Sequence, residues 1–420
     1  MPKKRRAKPL QTFKFARLNT TRMLRTIFLS ALSLALYLNA CQSGEQPVKN
    51  QEPVAEAKFI SQPQPVPHRD SVPTLKIGAP APDFRLPGVD GKFYTLQSFA
   101  DAKVLVVVFT CNHCPTAQAY EDRIKAVAAD YQSKGVAVVA ISPNSPLGLL
   151  YEELGYTDLN DDYDEMVIRA RQKQFNFPYL YDGDTQATSL LYGPVATPHV
   201  FVFDPARKLQ YSGRLDAKEK PGAANGEDLR AAIEALLAGS TPAQPVTKTF
   251  GCSTKWGWKT ESKVKTDEEW NTKPVSIQPL QVKEVQALVK NEKSAKLRLI
   301  NIWATWCGPC VLEFPNFVVL QRMYGARDFE FVSLSADNPA QQDKALAFLQ
   351  QKHAALPNYI FDNPDKYALM EAVDKKWNGA LPYTLLVEPG GKVIWSHQGE
   401  VDFEALKRVI VDHPKIGRYF

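Results

Sequence analysis

Two cysteine pairs are the residues of this sequence whose type and spacing could carry out chemistry. Cys111 and Cys114 stand in CNHC, and Cys307 and Cys310 stand in CGPC. A bridge across two intervening residues closes a very small loop and restrains little of the unfolded chain, so disulfides that stabilise a fold usually span more residues. We therefore interpret both pairs as redox centres, in which a thiolate attacks a disulfide and a second thiol resolves the mixed disulfide.

The elements around the two pairs follow the same order in both halves of the chain. An apolar run predicts a buried strand before each pair, at Val104–Phe109 and at Leu297–Ala304, and a helix follows each pair. A proline, two strands and a closing helix come later in each half. This alternation predicts an α/β fold with two similar domains in tandem, each a central mixed sheet flanked by helices.

The strand-to-helix junction predicts a role for each cysteine. The first cysteine of a pair should lie at the N-terminus of the helix, where free backbone N–H groups and the helix dipole stabilise a thiolate. We predict that Cys111 and Cys307 attack the disulfide of a client. Cys114 and Cys310, one turn further in, then resolve the mixed disulfide.

Residues 302–315, IWATWCGPCVLEFP, resemble the thioredoxin superfamily, and specifically its TlpA/ResA-like branch of exported thiol reductases. The resemblance covers roughly 270–420 and implies a thioredoxin-like fold with a cis-proline facing the CGPC pair, which corresponds to Pro382. It also implies that Glu313, three residues after the second cysteine, accepts the proton of the resolving thiol. A solvated helix residue is the alternative interpretation of Glu313.

A different set of motifs lies in the first half of the chain. These are GAPAPDF at 78–84, FTCNHCP at 109–115, TPHVFVFD at 197–204, GRLD at 213–216 and GCSTKW at 251–256. With them, residues of about 74–262 resemble the redoxin domains of the alkyl-hydroperoxide-reductase/thiol-specific-antioxidant group. The resemblance implies a second thioredoxin-like domain, whose matching proline is Pro198.

That group includes peroxidases, so a thiol-dependent peroxidase is an alternative function. The peroxidatic motif places a proline and a threonine at fixed distances before the reactive cysteine. A valine stands at the proline position whether the count starts from Cys111 or from Cys114, and Thr110 is displaced by one residue. These surroundings favour disulfide exchange over peroxide reduction.

The residues between the cysteines differ in the two pairs. His113 in CNHC resembles the histidine at the same place in DsbA, an oxidant whose reduced thiolate is stabilised by its surroundings. The Gly-Pro of CGPC matches reducing thioredoxins. We predict the higher potential at the Cys111–Cys114 pair, so electrons would pass to it from the C-terminal pair. In the alternative interpretation, His113 is an exposed first-turn residue that tunes nothing.

Two further residues add open alternatives. His199 directly follows Pro198, and with Cys111 and Cys114 it would form a ligand set for Cu(I) or zinc, which gives a metal-handling protein as an alternative function. Cys252 in GCSTKW is a possible third thiol that reacts transiently with the first pair or with a partner; a buried apolar cysteine is the alternative.

The N-terminus predicts export. Basic residues precede the apolar run Ile27–Leu38, which is too short to span a bilayer, and the run ends in Leu-Asn-Ala-Cys at Cys41. That ending resembles the lipobox of bacterial lipoproteins, so Cys41 is predicted to carry the lipid. The predicted organisation is a lipoprotein-type signal at 1–40, a disordered tether at 41–71, a redoxin-like domain at 72–262 and a TlpA/ResA-like domain at 270–420.

Bulk properties exclude several classes of function. The chain has 420 residues, and its formal charge of +6 includes nine basic residues and no acid within 1–40, which leaves −3 for the rest. A mildly acidic body gives no reason to expect nucleic acid as a partner. No nucleotide, flavin or haem motif is present, so we expect no cofactor and a membrane thiol protein as electron donor. The clients would be protein thiols and disulfides on the periplasmic side of the cell envelope. A tethered adaptor without enzymatic activity is the remaining alternative.

Overall fold

The computed structural model describes residues 59–418, which belong to one compact unit. The predicted signal at 1–40, the lipidation site Cys41 and most of the predicted tether lie outside the described residues. None of the described helices is both long and apolar enough to cross a membrane.

The first half of the chain is built on a five-stranded sheet. The strands of this half are β1 (Arg85–Pro87), β2 (Phe93–Thr95), β3 (Val104–Phe109), β4 (Val136–Ser142), β5 (Tyr179–Tyr181), β6 (Ala196–Thr197), β7 (His199–Phe203), β8 (Leu209–Gly213) and β9 (Cys252–Ser253). The helices of this half are α1 (Pro115–Gln132), α2 (Tyr163–Lys173), α3 (Ala187–Tyr192) and α4 (Glu227–Leu237). The sheet order is β5-β4-β3-β7-β8, parallel from β5 to β3 and antiparallel from β3 to β8. Two short ladders, β1–β2 and β6–β9, stand beside it.

The second half repeats this plan around a six-stranded sheet. After α5 (Thr260–Asn271) come strands β10 (Gln278–Leu280), β11 (Leu297–Trp303), β12 (Phe329–Ser335), β13 (Asn358–Phe361), β14 (Tyr383–Val387) and β15 (Val393–Gln398), with helices α6 (Val282–Lys290), α7 (Gly308–Tyr324), α8 (Gln342–Gln351), α9 (Lys366–Val373) and α10 (Phe403–Asp412). The order is β10-β13-β12-β11-β14-β15, again parallel on one side of the central strand and antiparallel on the other. The predicted fold class, two α/β bodies with mixed sheets, is confirmed.

The central strand of each sheet leads directly into its cysteine pair. All six residues of β3 are buried, as expected for a strand covered by helices on both faces. Helix α1 packs against one face of this sheet through Tyr120, Ile124 and Val127, which belong to the same apolar cluster as Val104 and Val106. A continuous apolar strand thus leads to the first pair, and the mostly buried strand β11 leads to the second.

The C-terminal part of the predicted tether lies within the described residues. Residues 59–66 lie against the first body: the Phe59 ring is 4.7 Å from that of Tyr163, and Ser61 Oγ donates a hydrogen bond of 2.6 Å to Asp184. Val66 is buried. The composition of this stretch indicated an extended chain, but one aromatic and one aliphatic side chain are enough to anchor it.

Candidate redox centres

The second cysteine pair forms a disulfide at the start of a helix. Cys307 is the N-cap of α7, and its sulfur accepts the backbone N–H of Cys310 at 3.3 Å. The S–S bond joins the two residues with their Cα atoms 5.3 Å apart. Here the first cysteine lies where the sequence predicted it, beside the free N–H groups of the first helical turn.

The proline that faces this pair comes from the neighbouring strand. The Leu381–Pro382 peptide bond is cis, and β14 begins at the next residue. Strand β14 runs antiparallel to β11, with Tyr383 opposite Ile302 near the end of β11. Pro382 therefore lies at the same edge of the sheet as the CGPC turn.

Glu313 lies one turn after Cys310 on α7 and is buried, not solvated. Its Oε2 accepts the backbone N–H of Val401 at 3.0 Å, and its Oε1 has no hydrogen-bond partner in the structure. Burial raises the pKa of Glu313 from its ordinary value to about 7. A carboxyl with this pKa can take up or release a proton near neutral pH.

The surface next to this centre is apolar. Trp306 lies in the turn between the end of β11 and the start of α7, and its side chain is 65% exposed. It borders a cavity of about 110 Å³ that is also lined by Leu381, the residue before the cis-proline, and by Met370 and Trp377. Trp306 thus contributes to an exposed apolar patch, and it directly precedes the CGPC turn in sequence.

The first pair begins its helix differently. Cys111 and Cys114 are both free thiols, and the N-cap of α1 is Cys114, followed by Pro115 at the first helical position. The prediction that the first cysteine starts the helix is therefore wrong for Cys111. Proline is favoured at the first position of a helix, and in CNHC the proline comes after the pair, whereas in CGPC it lies within the pair.

Backbone N–H groups consequently point at Cys114. Its sulfur accepts the N–H of Ala117 at 3.5 Å and the N–H of Cys252 at 3.3 Å. Burial raises the pKa of Cys114, but hydrogen bonds from the Cys111 and Cys252 thiols and the charge of His113 outweigh it, so the pKa of Cys114 is held well below its usual value. In Cys111, burial and the hydrogen bond to Cys114 raise the pKa instead. These contacts make Cys114, not Cys111, the more acidic thiol of this pair.

His113 is buried beside the pair, which rules out the interpretation as an exposed residue. Its Nδ1 lies 2.5 Å from Asp161 Oδ2 and 3.6 Å from Cys111 Sγ. Burial alone would lower the pKa of His113, but the Asp161 carboxylate more than offsets this, and the pKa is raised. A positive imidazole next to two thiols favours their ionised forms.

Asp161 is a site residue that the sequence analysis missed. It belongs to an acidic insert, residues 158–165, in which both Asp158 and Asp161 are buried. Asp161 accepts the backbone N–H groups of Asn112 and His113 at 2.8 and 2.9 Å, so it also fixes the turn of the CNHC motif. Only the polarity of the insert was visible in sequence; its return to the cysteine pair depends on tertiary contacts.

Thr197 and the cis-proline Pro198 complete the first centre. The Thr197–Pro198 peptide bond is cis. The Thr197 carbonyl accepts the Cys114 thiol at 3.2 Å, and its Oγ1 lies 3.2 Å from Cys111 Sγ. Pro198 thus directly follows the residue that contacts both sulfurs.

His199 is not part of this cluster. Its Nε2 lies 3.1 Å from Ser212 Oγ and its Nδ1 accepts the N–H of Val195, while burial lowers its pKa to about 4. Among the described residues, the groups spaced to hold a metal are Cys111, His113 and Asp161. Both carboxylate oxygens of Asp161 already accept N–H groups of the protein, which favours a structural ion pair over metal coordination.

Two mixed sheets, each carrying a cysteine pair at the start of a helix and a cis-proline at the facing strand, define a protein with two thioredoxin-like domains in tandem. Residues 77–212 match the AhpC/TSA family and residues 278–410 match the family described as Redoxin. The chain therefore consists of an AhpC/TSA-family domain followed by a Redoxin-family domain.

Curated relatives include proteins named as thiol-disulfide oxidoreductases. The chain is 29% identical over 118 residues to the thiol-disulfide oxidoreductase ResA of Bacillus thuringiensis subsp. konkukian, a match that covers 26% of this chain and 60% of that protein. It is 26% identical over 120 residues to the thiol:disulfide interchange protein HelX of Rhodobacter capsulatus, covering 28% and 61%. The chain thus spans about three fifths of the length of these relatives.

Solved structures that match include a hypothetical protein from Sinorhizobium meliloti 1021, which is 33% identical to this chain. The match covers 44% of this chain and 96% of that protein, with a TM-score of 0.39. A protein from Geobacillus kaustophilus is 34% identical over 44% of this chain and 94% of its own, with a TM-score of 0.38.

Proposed function

We propose that this protein is an exported thiol–disulfide oxidoreductase that exchanges disulfides with client proteins through two centres, one in a domain at 72–262 and one in a domain at 270–420. The observation that carries the proposal is the repeated site: a CxxC pair at a helix start, buried on a central strand, with a cis-proline at the adjacent strand. In the proposed organisation, a lipid on Cys41 tethers both domains to a membrane on the periplasmic side.

At the C-terminal centre, the reduced Cys307 thiolate attacks a client disulfide and releases one client thiolate. Cys310 then attacks the mixed disulfide, so the client leaves fully reduced and the Cys307–Cys310 bond forms. Glu313 accepts the proton of Cys310, since its free Oε1 and its raised pKa of about 7 suit a base in this position. Trp306 and the adjoining apolar cavity receive the client.

Electrons pass, in this proposal, from the C-terminal pair to the Cys111–Cys114 pair. The support is the stabilisation of a thiolate at Cys114 by two backbone N–H groups and by His113, because a stabilised reduced form raises the reduction potential of a pair. A thiol protein at the membrane would reduce the C-terminal pair.

Reduction of insulin by the full chain tests the proposal. We expect the wild-type chain to reduce insulin and Cys307→Ser to abolish this activity. Cys111→Ser is assayed separately and should change the activity as well, and Ser253→Ala, at an exposed residue, is the control. Titration of each pair in glutathione buffers, in full chains whose other pair is replaced by serine, should give the higher potential to Cys111–Cys114. A wild-type protein that neither reduces nor oxidises thiols would refute the function; equal or reversed potentials would refute only the relay.

A further inference from the structure

The N-terminal centre contains a third thiol, held by a strand pairing of its own. Strand β9 pairs antiparallel with β6, and this register places Cys252 opposite Thr197. Thr197 also contacts the sulfurs of Cys111 and Cys114 at 3.2 Å each. The backbone N–H of Cys252 lies 3.3 Å from Cys114 Sγ, and the thiols of the two residues are also hydrogen-bonded.

A glycine allows this close approach. Gly251 has φ of +133°, and a Cβ there would lie 2.1 Å from the Thr197 carbonyl oxygen. Any other residue would push β9 away from β6, because no side chain fits at that distance. The chain is therefore built to bring Cys252 to the cis-proline turn.

The three thiols differ in their access to solvent. Cys111 is 3% exposed and Cys114 is fully buried, whereas Cys252 is half-buried between the exposed residues Gly251 and Ser253. A thiol of another protein must contact the sulfur that it attacks. Cys252 is the sulfur of this centre that such a protein can reach first.

We infer that Cys252 is a third redox-active thiol, which takes over the disulfide of the buried Cys111–Cys114 pair and presents it at the surface. The inference rests on the proposed function and deepens it. In the first step, the Cys252 sulfur attacks Cys114 Sγ; the Cys114–Cys252 bond forms, the Cys111–Cys114 bond breaks, and the proton of Cys252 passes to Cys111. This step is an exchange without net oxidation.

In the second step, a partner dithiol supplies two electrons. Its first thiolate attacks the Cys252 sulfur and releases Cys114 as the thiolate that the Ala117 N–H stabilises. Its second thiol attacks the mixed disulfide, which frees Cys252 and leaves the partner oxidised. The proton of the partner's second thiol goes to Cys252. The centre ends with all three cysteines reduced.

Trapping tests the first step. The full chain with Cys111→Ser is equilibrated in glutathione buffers, quenched with acid, alkylated and analysed by peptide mass spectrometry. We expect a Cys114–Cys252 linked peptide as the main oxidised species. The double variant Cys111→Ser/Cys252→Ser is the matched control and should keep Cys114 free or glutathionylated. Circular dichroism checks that both variants fold, and wild-type protein at partial oxidation should show the same linked peptide as a minor species.

Kinetics test the route. A protein dithiol should reduce the oxidised Cys252→Ser variant at least about tenfold more slowly than it reduces wild type, because the accessible thiol next to Cys114 is lost. The small reductant dithiothreitol should show a smaller difference in rate between the two proteins. Gly251→Ala, which keeps the thiol but displaces it, should slow the reaction in the same direction. Ser253→Ala should react as wild type.

Two results overturn the inference. If the Cys111–Cys114 bond cycles in wild type but no Cys114–Cys252 bond forms in either protein and Cys252→Ser reacts at the wild-type rate, the third thiol is inert and the proposed function stands. If neither cysteine pair of the wild-type protein cycles in any buffer, the proposed function fails, and this inference fails with it.

Discussion

Glu313 combines burial, a free carboxyl oxygen and a pKa raised to about 7 by desolvation. At pH values between the ordinary pKa of a glutamate, 4.5, and the raised pKa of Glu313, about 7, the folded protein holds a proton that the unfolded chain has lost. Stability must therefore fall as pH rises through this window. We expect Glu313→Gln, which stays neutral, to reduce the loss of unfolding free energy across the window by on the order of 2 kcal/mol.

Urea unfolding at several pH values measures this difference. Glu371→Gln provides the control, because Glu371 is exposed on α9 and should leave the pH dependence as it is in wild type. Equal pH profiles for Glu313→Gln and wild type would mean that the carboxyl is charged in the folded protein at neutral pH. Glu313 would then be only a weak base, and its proposed role as the acceptor of the Cys310 proton would lose its support.

Asp161 is the residue on which the charge of His113 depends. Asp161→Asn removes the carboxylate that raises the pKa of His113 and leaves the burial that lowers it. We expect the His113 pKa to drop below its ordinary value and the unfolding free energy near neutral pH to fall by about 3 kcal/mol, as for other broken buried ion pairs. Histidine ring NMR signals, followed against pH, measure the first effect, with a His113→Gln spectrum for assignment.

His199 is the internal control for this experiment, since its ring contacts Ser212 and Val195 and its pKa, lowered by burial to about 4, should not move. The sign of the stability effect is fixed by both partners. The raised pKa of His113 gives stability that is lost as pH rises through its folded value, and the lowered pKa of Asp161 gives stability that is lost in acid. An unshifted His113 in Asp161→Asn would contradict the pairing.

At the scale of elements, periodicity predicted what local sequence controls. Strand Val104–Phe109 has the bounds that its apolar run indicated, and the strand predicted at Leu297–Ala304 ends one residue earlier, at Trp303. The exact start of α1 was mispredicted, because the position of Pro115 after the pair, not the CxxC pattern, sets the helix N-cap. Asp161 and the β6–β9 ladder were missed, since both depend on contacts between residues far apart in the chain.

Residues 59–66 make up another element whose contacts were not visible in sequence. Phe59 packs against Tyr163 and Tyr181, and the backbone and side chains of this stretch form three hydrogen bonds with Asp184, through Ser61, Gln62 and Gln64. We expect a chain that begins at 72 to unfold at lower temperature than one that begins at 59, with Phe59→Ala in the longer chain costing about 1–2 kcal/mol.

Thermal unfolding followed by circular dichroism makes this comparison. Ile60→Ala is the control for the single substitution, because Ile60 is 73% exposed and loses little buried area. Equal melting temperatures for the two chains would mean that the segment acts as a spacer up to residue 71, as its composition indicated.

At the scale of the whole molecule, the acidic insert belongs to both halves. Leu149 and Leu154, just before it, lie in the apolar cluster of the C-terminal sheet, and the Tyr324 hydroxyl donates to the Thr157 carbonyl at 2.7 Å. A few residues later, Asp161 reaches the first cysteine pair. One segment thus fixes the His113 turn of one centre and packs into the core of the domain that carries the other.

Asp158, in the acidic insert, forms ion pairs with arginines of both halves of the chain. It is fully buried and pairs with Arg418 at 2.9 Å and with Arg408 at 3.6 Å, both from the C-terminal half, and lies 3.9 Å from the buried Arg169 of the N-terminal half. Burial raises the pKa of Asp158, but Arg418 outweighs it and the pKa is lowered. The stability that this pairing gives is therefore complete near neutral pH and is lost as acid protonates the carboxyl.

We expect Asp158→Asn to lower the unfolding free energy by about 2 kcal/mol, because it removes a buried carboxylate that three guanidinium groups share. Arg418, Arg408 and Arg169 each keep a second carboxylate, which they find in Asp412, Glu404 and Glu121 respectively. In scanning calorimetry the wild-type halves should unfold in one transition, and the variant should separate them, since the contact between the halves weakens while each sheet keeps its own core. Asp164→Asn, on the exposed side of the same insert, should match wild type. A single unshifted transition in Asp158→Asn would show that the apolar contacts of Leu149 and Leu154 alone hold the two domains together.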